Sequence, residues 1–128
     1  MAAGKYSFVI EQGATFQQEW RYLDCLGNPV DLTNYSSKMQ LRPSPGSPIL
    51  YLTLSSSITP DGSGLNLMGL NGTNPTSSGS IGVIISAYSS SLLNFQEAYY
   101  DLELYSGSYV DRLIEGKVKL SKQVTTDA

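Results

Sequence analysis

Residues 98–125 contain two runs in which apolar and polar residues alternate, and this pattern constrains the fold more than any other part of the chain. In the first run Leu102 and Leu104 alternate with acidic residues, and in the second Val118 lies between lysines. A period of two is typical of a β-strand with one buried face. Because Ser-Gly-Ser at 106–108 separates the runs, we predict a long β-hairpin with Leu102 and Val118 facing inward.

Composition places the whole chain in the all-β class. The 128 residues include only 15% charged residues but 12 glycines, together with many serines, threonines and asparagines. Such a composition favours short strands joined by turns over helices. The length predicts a single domain over residues 1–128. A net charge of −3 provides no basic field for nucleic acid or an anionic membrane, so we expect neither partner.

Cysteine and histidine usage excludes several kinds of site. Cys25 is the single cysteine and the chain has no histidine. An internal disulfide, paired-cysteine metal sites and histidine-dependent nucleophile triads are therefore excluded, and we predict no cofactor. The amino terminus has an apolar run of three residues, 8–10, which is too short for a signal peptide or a membrane span. We therefore expect the protein to be made and kept in a cytoplasm, without targeting.

The rest of the chain reads as further strands. Alternating or β-branched runs predict strands at 6–12, 15–24, 37–42, 49–54 and 81–86, with a short one near 65–67. Ser86 is expected to cap a helical turn over residues 87–93. The elements together predict an antiparallel β-sandwich of about seven to nine strands, immunoglobulin-like or jelly-roll-like.

Three local features refine this prediction. Trp20, in mid-strand, is expected to anchor the core, with sugar stacking as the weaker alternative. The run 49–54 is apolar on both faces, which suits a strand that is buried on both sides or covered by a neighbouring subunit. In the second hairpin arm Val110 and Leu113 fall out of phase, so a bulge is expected within residues 111–114.

Candidate contact residues lie in the polar middle of the chain and at its end. Residues 61–79 and 122–128 are rich in small polar side chains, and we expect both to be mobile until a partner orders them, with 71–79 as an exposed tip. Asp61 belongs to a turn here, rather than to a calcium loop. The candidate contacts are Leu65, Leu67, Leu70, Tyr51 and Lys122. The alternative for the three leucines is that they cap the core.

The sequence contains one weak candidate for a catalytic acid–base pair. Asp101 and Glu103 share one strand face about 7 Å apart, a spacing that alone does not exclude a glycosidase pair. An outward strand face is a poor place to raise a carboxyl pKa, because that requires burial. We therefore expect no enzymatic activity.

The order of segments along the sequence resembles that of a known group of proteins. An aromatic second strand leads to LGNPVDLT at 26–33, and a later strand ends in Leu41 and Arg42. The hairpin closes with RLIEGKV at 112–118. This order resembles small virion proteins of tailed bacteriophages, and is similar in pattern to the β-sandwich domains that attach tail fibres or receptor-binding proteins to a baseplate. The sequence ends just after the hairpin, without a fibre shaft, which suggests a separate adaptor.

The resemblance implies a non-enzymatic structural subunit of a phage tail, located in the virion as a baseplate or tail-fibre attachment adaptor. Its expected partners are other tail or baseplate proteins and further copies of itself. Three alternatives stay open. A hydrolase would lose its activity in Asp101→Asn, whereas an adaptor would have no activity to lose. A head-decoration or neck protein would have a similar sequence. A carbohydrate-binding module would need exposed aromatic side chains, for which the candidates are Tyr6, Tyr51, Tyr99, Tyr105 and Tyr109.

Overall fold

A computed structural model describes residues 4–124 of the chain, and in this range they form nine strands and one short α-helix. In chain order the strands are β1 (Gly4–Lys5), β2 (Phe8–Glu11), β3 (Phe16–Arg21), β4 (Ser36–Arg42), β5 (Leu52–Ser55), β6 (Gly64–Asn66), β7 (Ser80–Ile85), β8 (Glu97–Ser106) and β9 (Tyr109–Ser121). The helix, α1, spans Ala87–Ser91, and a 3-10 turn spans Thr76–Ser78.

The strands form two sheets that pack on each other. The large sheet has the order β1-β9-β8-β4-β5, with β2 also paired to β9, and the small sheet has the order β3-β7-β6. The predicted all-β sandwich is confirmed. One detail differs from the antiparallel expectation, because β1 and β2 run parallel to β9. Sequence periodicity contains no information on strand direction, so this pairing could not be read from the residues.

The core lies between the two sheets. Alternate residues of β2, β4 and β8 and of the end of β9 are buried, as the period of two predicts, whereas β7 is buried at five of its six positions. The aromatic face of β3 closes the core at one side, where Trp20 is half-buried and stacks on Tyr100 of β8 with ring centroids 6.2 Å apart. The expectation that Trp20 anchors the core is confirmed. The fully buried large side chains include Ile10, Leu32, Met39, Leu41, Leu65, Ile81, Ile85, Leu102 and Leu104.

The terminal hairpin is present with the predicted facing. Leu102 and Val118 are both fully buried, while Glu103 faces outward and is half-buried. The register shifts between Leu102, which pairs with Ile114, and Glu103, which pairs with Arg112. Leu113 is thus an extra residue on β9, and the predicted bulge is confirmed within its range.

The capping prediction for the helix is also confirmed. Ser86 is the N-cap of α1, and its Oγ accepts a hydrogen bond of 3.0 Å from the backbone N–H of Ser89. Ser90 fastens the helix to the core, since its buried Oγ donates to the carbonyl of Ala14 at 2.8 Å and accepts from the N–H of Gly13 at 3.0 Å.

Of the two expectations for residues 49–54, a strand buried on both sides is wrong, and cover by a neighbouring subunit stays a prediction. The strand begins at Leu52, and Ile49 and Leu50 before it are 58% and 44% exposed. β5 pairs with β4 and forms an edge of the large sheet, so no second neighbour covers it among the described residues. The proline-rich segment between β4 and β5 directs the chain away from the sheet before the ladder begins.

Residues 71–79 are exposed at alternate positions but are not a free tip. The carbonyl of Thr76 accepts from the N–H of Leu32 at 2.9 Å, and the N–H of Asn74 donates to the carbonyl of Met68 at 3.0 Å. Gly79, at φ +71°, lies so close to Tyr22 that an added Cβ would meet its carbonyl oxygen at 2.5 Å. The segment therefore lies against the strands instead of projecting from them.

Candidate binding groove

The outer face of the large sheet contains an open groove of about 560 Å³. Its floor consists of outward side chains of β4, β8 and β9, and residues 44–46 form one wall. A volume of this size lies in the range of small-ligand sites. The charged and polar side chains that line it are Lys5, Gln40, Arg42, Asp101, Glu103, Arg112, Glu115 and Lys117, and Tyr99 contributes an aromatic ring.

Strand register arranges most of these side chains, together with Lys38, in three rows across the sheet. The first row, which we call the basic row, consists of the cross-strand partners Arg42, Tyr99 and Lys117. The second, the acidic row, consists of Gln40, Asp101 and Glu115. The third consists of Lys38, Glu103 and Arg112. Directly opposite residues on paired strands have Cβ atoms about 5 Å apart, so the members of each row are neighbours.

The carboxylates of the acidic row are already paired. Asp101 accepts from the guanidinium of Arg112 with an N–O distance of 3.3 Å, and Glu115 contacts the ammonium of Lys5 at 3.2 Å. Both contacts lie on the outer face of the hairpin, and the one between Arg112 and Asp101 joins its two strands. Without them, Asp101 and Glu115, which are direct cross-strand partners, would repel each other.

The cations of the basic row have a different environment. Arg42 donates from Nη1 to the carbonyl of Ser47 at 2.8 Å and from Nη2 to Oε1 of Gln40 at 3.0 Å, and both acceptors are neutral. The ammonium of Lys117 lies 5.5 Å from the centroid of the Tyr99 ring, a cation–π distance. Within residues 4–124 neither cation has a carboxylate within ion-pair distance.

The bulge at Leu113 determines which charges reach the groove. Because of the extra residue, Arg112 pairs with outward-facing Glu103, and Asp111 pairs with inward-facing Leu104. Asp111 then accepts a hydrogen bond of 2.9 Å from the hydroxyl of Tyr22, which follows β3. Burial, and then this contact with Asp111, raises the pKa of Tyr22 to about 12. Without the bulge, the Asp111 side chain would face outward and the Arg112 side chain would face the core.

The contact residues predicted from sequence do not meet in the groove. None of Leu65, Leu67, Leu70, Tyr51 and Lys122 is among the described residues that line it. Leu65 is fully buried, so a surface contact at this position is wrong, because β6 packs that side chain into the core. Leu67 and Leu70 are half-buried, and Leu67 packs against the core, as the capping alternative requires for this leucine.

The other two candidates have partners within the chain. Tyr51 stacks on Phe95 with ring centroids 4.7 Å apart, and the ammonium of Lys122 donates to Oδ1 of Asn94 at 2.6 Å. Residues 125–128 of the predicted terminal contact segment lie outside the described residues. A contact role for residues 61–79 and for 122–124 stays a prediction.

The five tyrosines proposed for sugar stacking do not form one exposed row. Tyr6 packs in an aromatic cluster with Phe8 and Trp20, and Tyr109 contacts Tyr35 edge to face. Tyr99 and Tyr105 share the outer face of β8, but two acidic residues separate them. Among the described residues that line the groove, Tyr99 is the one member of the set.

Asp61 lies in the predicted turn, in which the N–H of Gly62 donates to the carbonyl of Thr59 at 2.9 Å. Its carboxylate accepts from the hydroxyls of Ser86, at 2.6 Å, Ser89, at 2.5 Å, and Thr59. These hydrogen bonds hold the pKa of the Asp61 carboxyl well below its usual range. Since its oxygens accept from protein donors, Asp61 joins this turn to α1. In residues 4–124 no three His, Cys, Asp or Glu side chains cluster as metal ligands would.

Comparison with known proteins identifies the fold but no family. No family model matches the sequence, and no curated protein matches it. Among solved structures, the chain is similar to a chicken TCR with a TM-score of 0.53 and 12% sequence identity. The match covers 94% of this chain and 55% of that chain, so this chain spans about half the length of that protein. The likeness shows an immunoglobulin-like β-sandwich.

Strand order fits this result in detail. The neighbours β9-β8-β4-β5 and β3-β7-β6 correspond to GFCC′ and BED of the variable-type immunoglobulin arrangement. In antibody domains a disulfide joins strands B and F. Here the corresponding strands β3 and β8 are joined by the stacked rings of Trp20 and Tyr100, and Cys25 is exposed outside both sheets. No helix in the described part of the chain is long and apolar enough to cross a membrane.

Proposed function

We propose that this chain is a non-enzymatic structural subunit of a bacteriophage tail, a baseplate or tail-fibre attachment adaptor that acts in the virion. The observation that carries the proposal is the order of sequence features, from LGNPVDLT at 26–33 through the strand ending in Arg42 to the hairpin with RLIEGKV at 112–118. All three belong to one sandwich, and the last two contribute side chains to the groove.

The state of the carboxylates supports a binding role over an enzymatic one. An acid–base pair needs one carboxyl group that burial keeps protonated. Asp101 is held in an ion pair with Arg112, and its side chain is 38% exposed. Glu103 is half-buried and lies directly across from the same arginine. Neither carboxyl group has the apolar surroundings that general-acid catalysis requires.

The exposed edge at β5 supports assembly with other subunits. Ile49 and Leu50 lie uncovered beside a short edge strand, which is the kind of surface that partners cover in complexes. We infer that another tail protein or a further copy of this chain packs on this edge in the particle.

The location can be tested on purified particles of a phage that encodes the chain. Mass spectrometry should detect the chain in particles after density-gradient purification, and antibody-conjugated gold should label the distal end of the tail. Gold on the head or neck would overturn the tail assignment in favour of a head-decoration or neck protein. Absence of the chain from purified particles would overturn a structural role.

A carbohydrate-binding module is the second candidate, and the groove favours it in one respect. Tyr99 lies beside Gln40, Arg42 and Asp101, which are planar polar side chains of the type that bind sugar hydroxyls. A glycan array would distinguish the two functions. A module of this kind should bind a defined glycan and lose that binding in Tyr99→Ala, whereas a tail adaptor should bind none.

A further inference from the structure

The basic row is the row of the groove that contains cations and no carboxylate. On the acidic row each carboxylate has a cationic partner. On the basic row two cations flank Tyr99, and within residues 4–124 no carboxylate pairs with either of them. The strand spacing of about 4.8 Å places Arg42 and Lys117 about 10 Å apart, on either side of the ring. A single anionic group above Tyr99 would lie within reach of both side chains.

Arg42 is held in position before any ligand arrives. Its two hydrogen bonds, to Ser47 and Gln40, fix the guanidinium beside the wall of the groove. A guanidinium has five N–H donors, so three remain for a ligand. The planar arrangement of these donors matches a carboxylate. Since the side chain is ordered already, binding loses less conformational entropy than it would with a free arginine.

We propose that the basic row binds a carboxylate side chain from an extended acidic segment of a partner protein. The inference rests on the proposed function, because it specifies the chemistry by which an assembly subunit recognises its neighbour. The carboxylate contacts Arg42 and the ammonium of Lys117 above Tyr99, and the rest of the segment follows the groove past residues 44–46.

The acidic row restricts which anions fit. Asp101 and Glu115 lie immediately beside the basic row, about 7 Å farther along the strands. A dense polyanion would place further negative charges over these two carboxylates, and the repulsion would oppose its binding. A protein segment can present one carboxylate followed by neutral residues. Lys117 also occupies a face of the Tyr99 ring, which a sugar would need for stacking.

The test is a binding titration of the whole chain with a blocked peptide, Gly-Ser-Glu-Asn-Ser-Gly, followed by ¹H–¹⁵N NMR. The matched control peptide has glutamine in place of the glutamate. We expect saturable shifts centred on the amides of Arg42, Tyr99 and Lys117 with the acidic peptide and none with the control. Binding should weaken as NaCl rises from 50 to 500 mM, because salt screens exposed charges.

One variant at Lys117 and one at Lys119 distinguish binding at a defined site from a general effect of positive charge. Lys119 lies two residues along the same strand and faces the same side, but it pairs with Glu97 outside the groove. Lys117→Gln should weaken peptide binding about tenfold, which corresponds to the loss of one charge-assisted contact. Lys119→Gln should change the affinity less than about twofold. Arg42→Lys, which retains the charge but loses the planar set of guanidinium donors, should also weaken binding.

Three results would overturn the inference. They are the absence of saturable shifts with the acidic peptide, an equal loss of affinity in Lys117→Gln and Lys119→Gln, and tighter binding of an oligogalacturonate than of the peptide. None of these bears on whether the chain is found in tail particles. A subunit located in the tail whose groove ignores the peptide would refute this inference alone, and a peptide-binding chain absent from particles would refute the tail assignment alone.

Discussion

The two faces of the β8–β9 hairpin differ in burial and in charge. The inner face packs Tyr100, Leu102 and Val118 against the small sheet, and almost none of this surface is exposed. The outer face carries charges that are paired on one row and unpaired on the next. Stability should therefore depend on the inner face and recognition on the outer face, although neighbouring residues along each strand belong to opposite faces.

The largest effect should come from Leu102→Ala. The change removes a fully buried side chain and leaves a cavity, so the free energy of unfolding should fall by about 2 to 5 kcal/mol. Glu103→Ala is the matched control on the outer face, and its cost should be within about 0.5 kcal/mol. Urea unfolding measures both. Similar costs for the two variants would mean that the faces are not divided as described.

Gly116→Ala should have the next largest effect. A Cβ at this position would meet the carbonyl oxygen of Tyr6 at 2.0 Å, so the segment that joins β1 to β2 must shift. That carbonyl accepts a hydrogen bond of 2.5 Å from the hydroxyl of Tyr100, which the shift would break. We expect a loss of about 1 to 3 kcal/mol. Hydrogen exchange should accelerate in residues 4–11 and stay unchanged in β3, and unchanged exchange in both would contradict the close approach.

Tyr22→Phe tests the polar contact at the rim of the inner face. Loss of the hydrogen bond to Asp111 should cost about 0.5 to 1.5 kcal/mol near neutral pH. The pKa of Tyr22 is raised from 10.0 to about 12, so its contribution to stability is complete below pH 10 and is lost as the pH rises toward 12. The variant should therefore show a flatter decline of unfolding free energy between pH 10 and 12. Parallel pH profiles would show that Tyr22 does not titrate as described.

Arg112→Gln should have the smallest effect on stability. Arg112 and Asp101 form an ion pair with side chains 53% and 38% exposed, and such pairs contribute less than about 1 kcal/mol. Chemical unfolding at low and at 1 M NaCl should therefore give nearly equal values for the wild type and the variant. A cost comparable to that of Leu102→Ala would show that the outer face also determines stability.

Sequence alone predicted the parts of this fold that depend on local periodicity. The hairpin, the inward leucines, the Ser86 cap and the bulge near Leu113 follow from residues close together in the chain. The parallel pairing of β2 with β9 joins residues more than 100 positions apart, and no local pattern encodes it. Burial of residues 49–54 on both sides was predicted wrongly because an apolar run looks the same in a buried strand and at an exposed edge.

The groove could not be predicted from the sequence for the same reason. Arg42, Tyr99 and Lys117 are separated by 57 and 18 positions, and they become neighbours through the register of β4, β8 and β9. Each residue taken singly is an ordinary outward side chain at a strand position. Leu65, Leu67 and Leu70 are apolar residues within a polar segment, a pattern that predicts surface contacts, whereas Leu65 occupies the core. The one available signal was the phase shift at Val110 and Leu113, which indicates that Arg112 faces outward.

The pairing of β1 and β2 with β9 has a consequence for synthesis in the cell. β9 lies between β8 and the amino-terminal strands, so the large sheet is incomplete until residues 109–121 have left the ribosome. Until then Phe8 and Ile10 have no partner strand, and the core they close stays open. Contacts over such sequence distances form slowly. The large sheet can therefore be completed only after residues 109–121 have been translated, and strands that stay exposed until then are the kind of surface that chaperones bind.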